Sequence, residues 1–309
     1  MSNYLRNLWR ATAFMGAIAL ASVATSTAQS ADWPPPLGSK KIVYAHGQWS
    51  TTAVTYVVIG LLEAAGYQVE GKLLDTGLAY QALANGQVDL YSNAYLPGQQ
   101  SYFNKYGDKL DIISMSYGPV PGGLMVPAYL PATTIADLLK PEIRDMVSGK
   151  IIGVDAGSGV VMQAQRAIDT YGLKLELVPS GGAAMAAAFK SAYDKNEGII
   201  ITGWCPHALC ALYDVKFLAD DKGIYGYSQD YHVARKGFRE EFPRATAILS
   251  RVNMTEGLVS EMLVWMDQEG IDYKEAAKRF LAKYPELVWY WIGDIAPNVE
   301  KPASLNTGG

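Results

Sequence analysis

The stretch KIVYAHGQWSTTAVTYVVIGLLEAAGYQVEGKLLDTGLAYQALANGQVDLYSNAYLP, residues 41–97, decides the fold. Lys41 to Ala45 is rich in strand formers, and Gly47 closes it. Residues 51–65 form an apolar run that predicts a helix, with Ser50 as N-cap and Gly66 just past its end. Tyr67 to Leu74 reads as a strand, Leu78 to Asn85 as a short helix stopped by Gly86, and Val88 to Asn93 as a third strand. That strand ends at Tyr95-Leu96-Pro97. Strand, helix, strand, helix, strand in this order implies a mostly parallel sheet.

The same rhythm returns at 150–206. Lys150 to Asp155, Leu173 to Val178 and Gly198 to Thr202 read as strands, with helices at Val160 to Tyr171 and Ala183 to Tyr193 between them. The third strand again ends in an aromatic-x-Pro, Trp204-Cys205-Pro206. Trp49 and Tyr95 are 46 residues apart, as are Ser158 and Trp204. Two similar α/β lobes facing each other would show this layout. Gly122 to Val126 reads as a strand crossing between them, and the segment from Gly226 through His232-Val233-Ala234 as the return. Helices from Pro243 to Trp291 should pack back on the first lobe. The expected division is residues 29–125 with 228–309 for lobe 1, and 126–227 for lobe 2.

Working outward to the whole chain, 309 residues suit two domains. Half of them are hydrophobic and 18% charged, so the chain can bury a core. A net charge of -4 without a Lys/Arg cluster argues against nucleic-acid and anionic-membrane partners. Two Cys exclude a disulfide scaffold and a four-cysteine zinc site. Residues 1–28 read as a secretory leader: Arg6 and Arg10, an apolar run from Ala11 to Ala24, then Ser26-Thr27-Ala28 as a small-residue cleavage site. Cleavage there removes two cations and no acid, moving the net charge from -4 to about -6. The expected destination is the periplasm, where disulfides are permitted.

Ligands of open α/β sheets bind beyond the carboxyl ends of the strands. Trp49, Tyr95, the Gly157-Ser158-Gly159 turn and Trp204 all fall at such ends. A quaternary ammonium has no N–H to donate, so a protein grips it by cation–π and apolar contact, about 0.5–2 kcal/mol per aromatic face. Trp49, Tyr95 and Trp204 are the candidate walls, with Tyr117 and Tyr80 as further ones. Trp265, Trp289 and Trp291 lie on helical segments and read as core. The Gly157-Ser158-Gly159 turn opens a helix, whose free N–H groups suit a carboxylate. It is no nucleotide fingerprint, because Met162 stands where a third small residue is needed. His207 could donate to the same carboxylate. His46, His207 and His232 do not pair at metal-ligand spacing, and Ser158 is in no G-x-S-x-G elbow. No cofactor, metal or catalytic group is expected. Cys205 and Cys210 can bridge only if the helix containing Cys210 begins irregularly near Pro206, since one regular helix would hold them too far apart.

Gly47-Gln48-Trp49-Ser50-Thr51-Thr52, the Tyr80 to Asp89 run, Tyr95-Leu96-Pro97, Gly123-Leu124-Met125-Val126-Pro127 and Gly203-Trp204-Cys205-Pro206-His207 resemble one family. It is the substrate-binding proteins of glycine betaine/proline betaine/choline ABC transporters. The resemblance covers nearly all of the chain after the leader. It implies a type II periplasmic-binding-protein fold, α/β, with two lobes around an aromatic cage, and Trp204 and Trp49 as cage walls. Tyr95 replaces the usual Trp, position 158 is Ser where some members place an aromatic, and Gly122 stands where choline-binding relatives carry Tyr. The expectation is a monomeric receptor for a quaternary or methylated amine such as glycine betaine, choline or trimethylamine oxide, handing it to ABC permease subunits. The alternative is an amino-acid receptor, for histidine as an example. A secreted hydrolase using Ser158 is the rival from another class.

Overall fold

The computed structural model describes residues 33–47, 51–296 and 298–306. The leader at 1–28, Trp49 and the expected N-cap Ser50 lie outside the described residues. Among the described residues nine strands run as β1 (Lys41–His46), β2 (Gln68–Leu73), β3 (Leu90–Leu96), β4 (Leu110–Pro127), β5 (Lys150–Gly153), β6 (Glu176–Pro179), β7 (Ile201–Trp204), β8 (Val215–Phe217) and β9 (Tyr227–Arg235). They form one open sheet in the order β2-β1-β3-β9-β4-β7-β5-β6, with β8 beside β4. β1 lies parallel between β2 and β3, and β5 parallel between β6 and β7. These two parallel sets are the repeated units of the sequence.

β9 and β4 join the sets. β9 runs antiparallel to β3 on one side and to β4 on the other. β4 keeps β9 as partner as far as Pro121, then pairs with β7 from Gly122 to Met125. The crossing expected at Gly122 to Val126 is therefore the far end of an 18-residue strand.

Among the described residues there are twelve α-helices: α1 (Thr52–Ala64), α2 (Thr76–Ala84), α3 (Gln100–Tyr106), α4 (Pro141–Met146), α5 (Gly159–Tyr171), α6 (Gly182–Asp194), α7 (Ala208–Leu212), α8 (Phe238–Glu241), α9 (Pro243–Leu249), α10 (Glu256–Glu269), α11 (Tyr273–Lys283) and α12 (Pro285–Ile292). α1 buries nine of its 13 residues, because it is covered by the sheet on one side and by α11 on the other. An apolar face all round is what such a helix needs. α11 has one apolar face, with Ala276, Ala277 and Phe280 buried beneath it. Trp265 and Trp291 are buried in the same core, as the helical reading implied. That core also contains Val154, Val161, Phe189 and Trp204 from the second parallel set and its helices, so apolar packing continues from one set to the other.

Candidate functional site

The carboxyl ends of the strands converge on one cleft. Tyr95, at the end of β3, and Trp204, the last residue of β7, both line it, as do Ser158 and Gly159 at the start of α5. In both aromatic-x-Pro stretches the bond before proline, Leu96–Pro97 and Cys205–Pro206, is cis. The cleft residues include no His, Lys, Arg, Asp or Glu among those described. Its polar groups are neutral hydroxyls and amides such as Thr51, Asn93, Gln99 and Gln163. Such a chamber presents aromatic faces and dipoles to a ligand, and no formal charge at contact.

Each wall is fixed from behind. The Tyr95 hydroxyl lies 2.5 Å from that of Tyr117 and 3.3 Å from Thr51 Oγ1. Burial raises the Tyr95 hydroxyl far above the ordinary phenol range, so it stays protonated. Tyr117 is fully buried, is absent from the lining and acts as the support of Tyr95. Tyr80 is likewise in the core, stacked on Tyr102 at 4.5 Å with its hydroxyl donating to Gln99 Oε1. Asn93 reaches the cleft through a bulge: the register with β9 shifts between Tyr91 and Ala94, and Asn93 takes φ 70°. Asn is among the few residues that accept this backbone region, and bulges re-aim side chains in this way. An Asn inside an apolar strand was the available signal. Its Nδ2 donates to Thr51 Oγ1 at 3.2 Å, while its buried Oδ1 has no partner.

Trp204 is only 9% exposed, and its buried Nε1–H has no protein acceptor. A buried donor left over at a cavity wall suits a ligand acceptor. The segment after it is held by a disulfide between Cys205 and Cys210, with Cα atoms 6.3 Å apart. Cys205 precedes α7, which begins only at Ala208, so the pair escapes the regular helical geometry that would have separated it. His207 is the N-cap of α7: its Nδ1 accepts from Leu209 N–H at 3.1 Å. Burial lowers its pKa to about 4, so the ring is neutral. It stands edge-on to Trp204, ring centroids 4.9 Å apart, and lines a neighbouring groove with Tyr273 and Asp267. Trp204 separates that groove from the cleft of Tyr95 by lining both.

At the turn before α5, Ser158 is the N-cap, its Oγ accepting from Val161 N–H at 3.3 Å. Among the described residues no acid or imidazole lines the cleft beside Ser158. Gly157 offers its carbonyl to the Tyr102 hydroxyl at 2.8 Å. A Cβ on Gly159 would lie 3.1 Å from the Gly98 backbone, so this turn approaches the β3–α3 connection too closely for a side chain. Asp155, just before the turn, has its pKa raised to about 6 by burial and by Asp75, which precedes α2.

The sequence profile of the substrate binding domain of ABC-type glycine betaine transport systems matches residues 40–283. The glycine betaine/carnitine transport binding protein GbuC of Listeria monocytogenes is 34% identical over 168 residues, 53% of this chain. The match spans 56% of that relative's length. Among solved structures, lactococcal OpuAC in its closed form with glycine betaine is similar with a TM-score of 0.76 at 29% identity, covering 82% of this chain and 99% of that one. The glycine betaine/L-proline-binding protein ProX of Borrelia burgdorferi gives 0.79 at 29% identity, over 84% and 99%. These are transport proteins and not an enzyme family, and their fold is the two-lobed one read from the repeat. This chain therefore belongs to the family of substrate-binding domains of ABC-type glycine betaine transport systems.

Proposed function

We propose that this chain is the exported receptor of an ABC importer for a quaternary or methylated amine, with glycine betaine as the leading ligand. The observation that carries the reading is the charge-free cleft between Tyr95 and Trp204, one from each parallel set, with the start of α5 at its rim. The cationic head would lie against Tyr95, Trp204 and Trp49. A ligand carboxylate would take backbone N–H groups of the Gly157 to Gly159 turn, where that of Ser158 already donates to the Asp155 carbonyl at 3.0 Å, and the unpartnered Trp204 Nε1–H. His207, neutral and turned to the neighbouring groove, supports Trp204 in this reading. An amino-acid ligand is disfavoured, because a primary ammonium is best matched by a carboxylate acceptor, and the described lining supplies only neutral ones.

The two bodies would be residues 29–125 with 228–309, and 126–227, closing on the ligand and delivering it unchanged to permease subunits as a monomer. The leader at 1–28 supports export, and among the described residues no helix is long and apolar enough to cross a membrane. Calorimetry against glycine betaine, choline, carnitine, trimethylamine oxide and histidine tests the reading. Tight binding of a methylated amine is the expected result. Tight binding of histidine alone, or ligand recovered as a reaction product in excess of the protein, would overturn it.

A further inference from the structure

Behind the Tyr95 wall lies a carboxylate that the proposed binding does not use. Asp230 on β9 is fully buried. It is the register partner of Tyr95 on β3 and of Tyr117 on β4, so the three form one row across the sheet. Paired residues of antiparallel strands point to the same face, and the two tyrosine hydroxyls meet at 2.5 Å. Ser228, two residues earlier and so on the same face of β9, lines the cleft. Asp230 thus lies one step deeper than the cleft floor. The Ser116 hydroxyl and the N–H groups of Asn93, Ala94 and Tyr231 favour its ionised form, yet neither oxygen completes a hydrogen bond of full geometry. Leaving a carboxylate so poorly paired in a protein interior is costly.

We infer that Asp230 is the buried counter-charge of the cleft, selecting cationic ligands through the Tyr95 ring and releasing a proton when one binds. This rests on the receptor reading above and adds the residue that sets its preference for charge. A cation beyond Tyr95 is attracted to an ionised Asp230 across a low-dielectric wall, where Coulomb forces are strong. Without it, burial favours the protonated acid and holds the pKa at about 8. The cation pulls that value down, so binding below pH 8 expels a proton, and affinity for the cation rises with pH until the free protein is itself ionised.

Other titratable groups do not blur this. Tyr44 from β1, Tyr80 from α2, Tyr91 and Tyr95 from β3 and Tyr117 from β4 feel the Asp230 charge, and burial drives all five hydroxyls upward. His232, two residues along β9, is pushed down to about 4 by burial. Asp155 at the rim titrates at about 6. The interval from pH 7 to 9 therefore reports Asp230 among these groups.

The test measures choline and glycine betaine binding by calorimetry from pH 6 to 9 in buffers of different ionisation enthalpy, on the full protein and on Asp230→Asn. Choline is a permanent cation, so its own charge does not change. Its affinity should rise up to about tenfold between pH 7 and 9, following the ionised fraction. Proton release should approach one per ligand near pH 7 and be smaller for zwitterionic glycine betaine. In Asp230→Asn the pH dependence should vanish, and Asp155→Asn should leave it in place. If Asp230→Asn fails to fold, proton release by the parent protein decides alone. Binding with no proton release and no pH trend overturns the role of Asp230 and leaves the receptor reading standing. Failure to bind any methylated amine overturns both.

Discussion

Trp204 and Tyr95 differ in how much of their surroundings they depend on. Trp204 lines the cleft and has a buried, unpaired Nε1–H, so Trp204→Ala should remove binding energy directly. The expected loss is about 1–3 kcal/mol in affinity, from one cation–π face and its apolar area. Titration calorimetry on a variant with parent-like circular dichroism checks it, and unchanged affinity would discard the wall. Tyr95 is tied by its hydroxyl to Tyr117 and Thr51. Tyr95→Phe keeps the ring but strands those partners, so it should lower stability by about 1–2 kcal/mol while affinity changes little. Denaturant melts read the first effect and titration the second. Both residues were legible because each precedes x-Pro at a strand end. Asn93 was not legible, since only the bulge in β3 turns it to the cleft, and a bulge depends on pairing with a strand some 140 residues on. Tyr117 and Tyr80 have the chemistry of a wall, yet lie behind the lining, because register and burial depth do not show in composition.

Among the elements, α3 and the turn before α5 form the contact that joins the rims of the cleft. Tyr102 of α3 donates to the Gly157 carbonyl, and Gly159 touches the Gly98 backbone. Tyr102→Phe should weaken ligand binding about 3- to 10-fold, the worth of one hydrogen bond, with little change in the melting temperature of ligand-free protein. Gly159→Ala inserts a methyl at 3.1 Å from backbone and should weaken binding further by opposing closure. Equal affinity in both variants would show that the rims need not meet. The two strand–helix repeats could be read because hydrophobic periodicity is local. α3 and three-residue β8 could not: α3 buries none of its residues, and β8 exists only by pairing with β4. The disulfide stayed open in the sequence because it hinges on where α7 begins, which the placement of Pro206 only hints at.

For the molecule as a whole, stability should carry the mark of Asp155, whose carboxyl lies near Asp75 at the rim and titrates at about 6 against 3.8 for the free group. The acid is protonated in folded and unfolded chains below about pH 4. Between about 4 and 6 only the folded chain holds the proton, so this stabilising contribution is lost as pH rises through 6. Asp155→Asn should therefore melt with a shallower decline from pH 4.5 to 7 than the parent, by scanning calorimetry at constant ionic strength. Identical slopes would mean that the carboxyl is solvated in solution. At this scale the sequence pattern conveyed two units and a return crossing, while it could not show that the outgoing and returning strands are neighbours.

That adjacency has a mechanical consequence. β4 and β9 are hydrogen-bonded side by side from Leu110 and Arg235 to Pro121 and Tyr227, and β4 changes partner one residue later. The outward and return passages of the chain form one ribbon, like a door hung on a single pin instead of two separate straps. A ribbon of this kind resists sliding and shearing of one lobe past the other, but it twists and bends readily where its pairing ends. If the lobes close on a ligand as proposed, motion about that line is smallest near the pivot, beside the cleft, and grows with distance from it. On that reading the outer rims act as levers, and a permease touching only those rims would sense an occupied cleft without contacting the ligand.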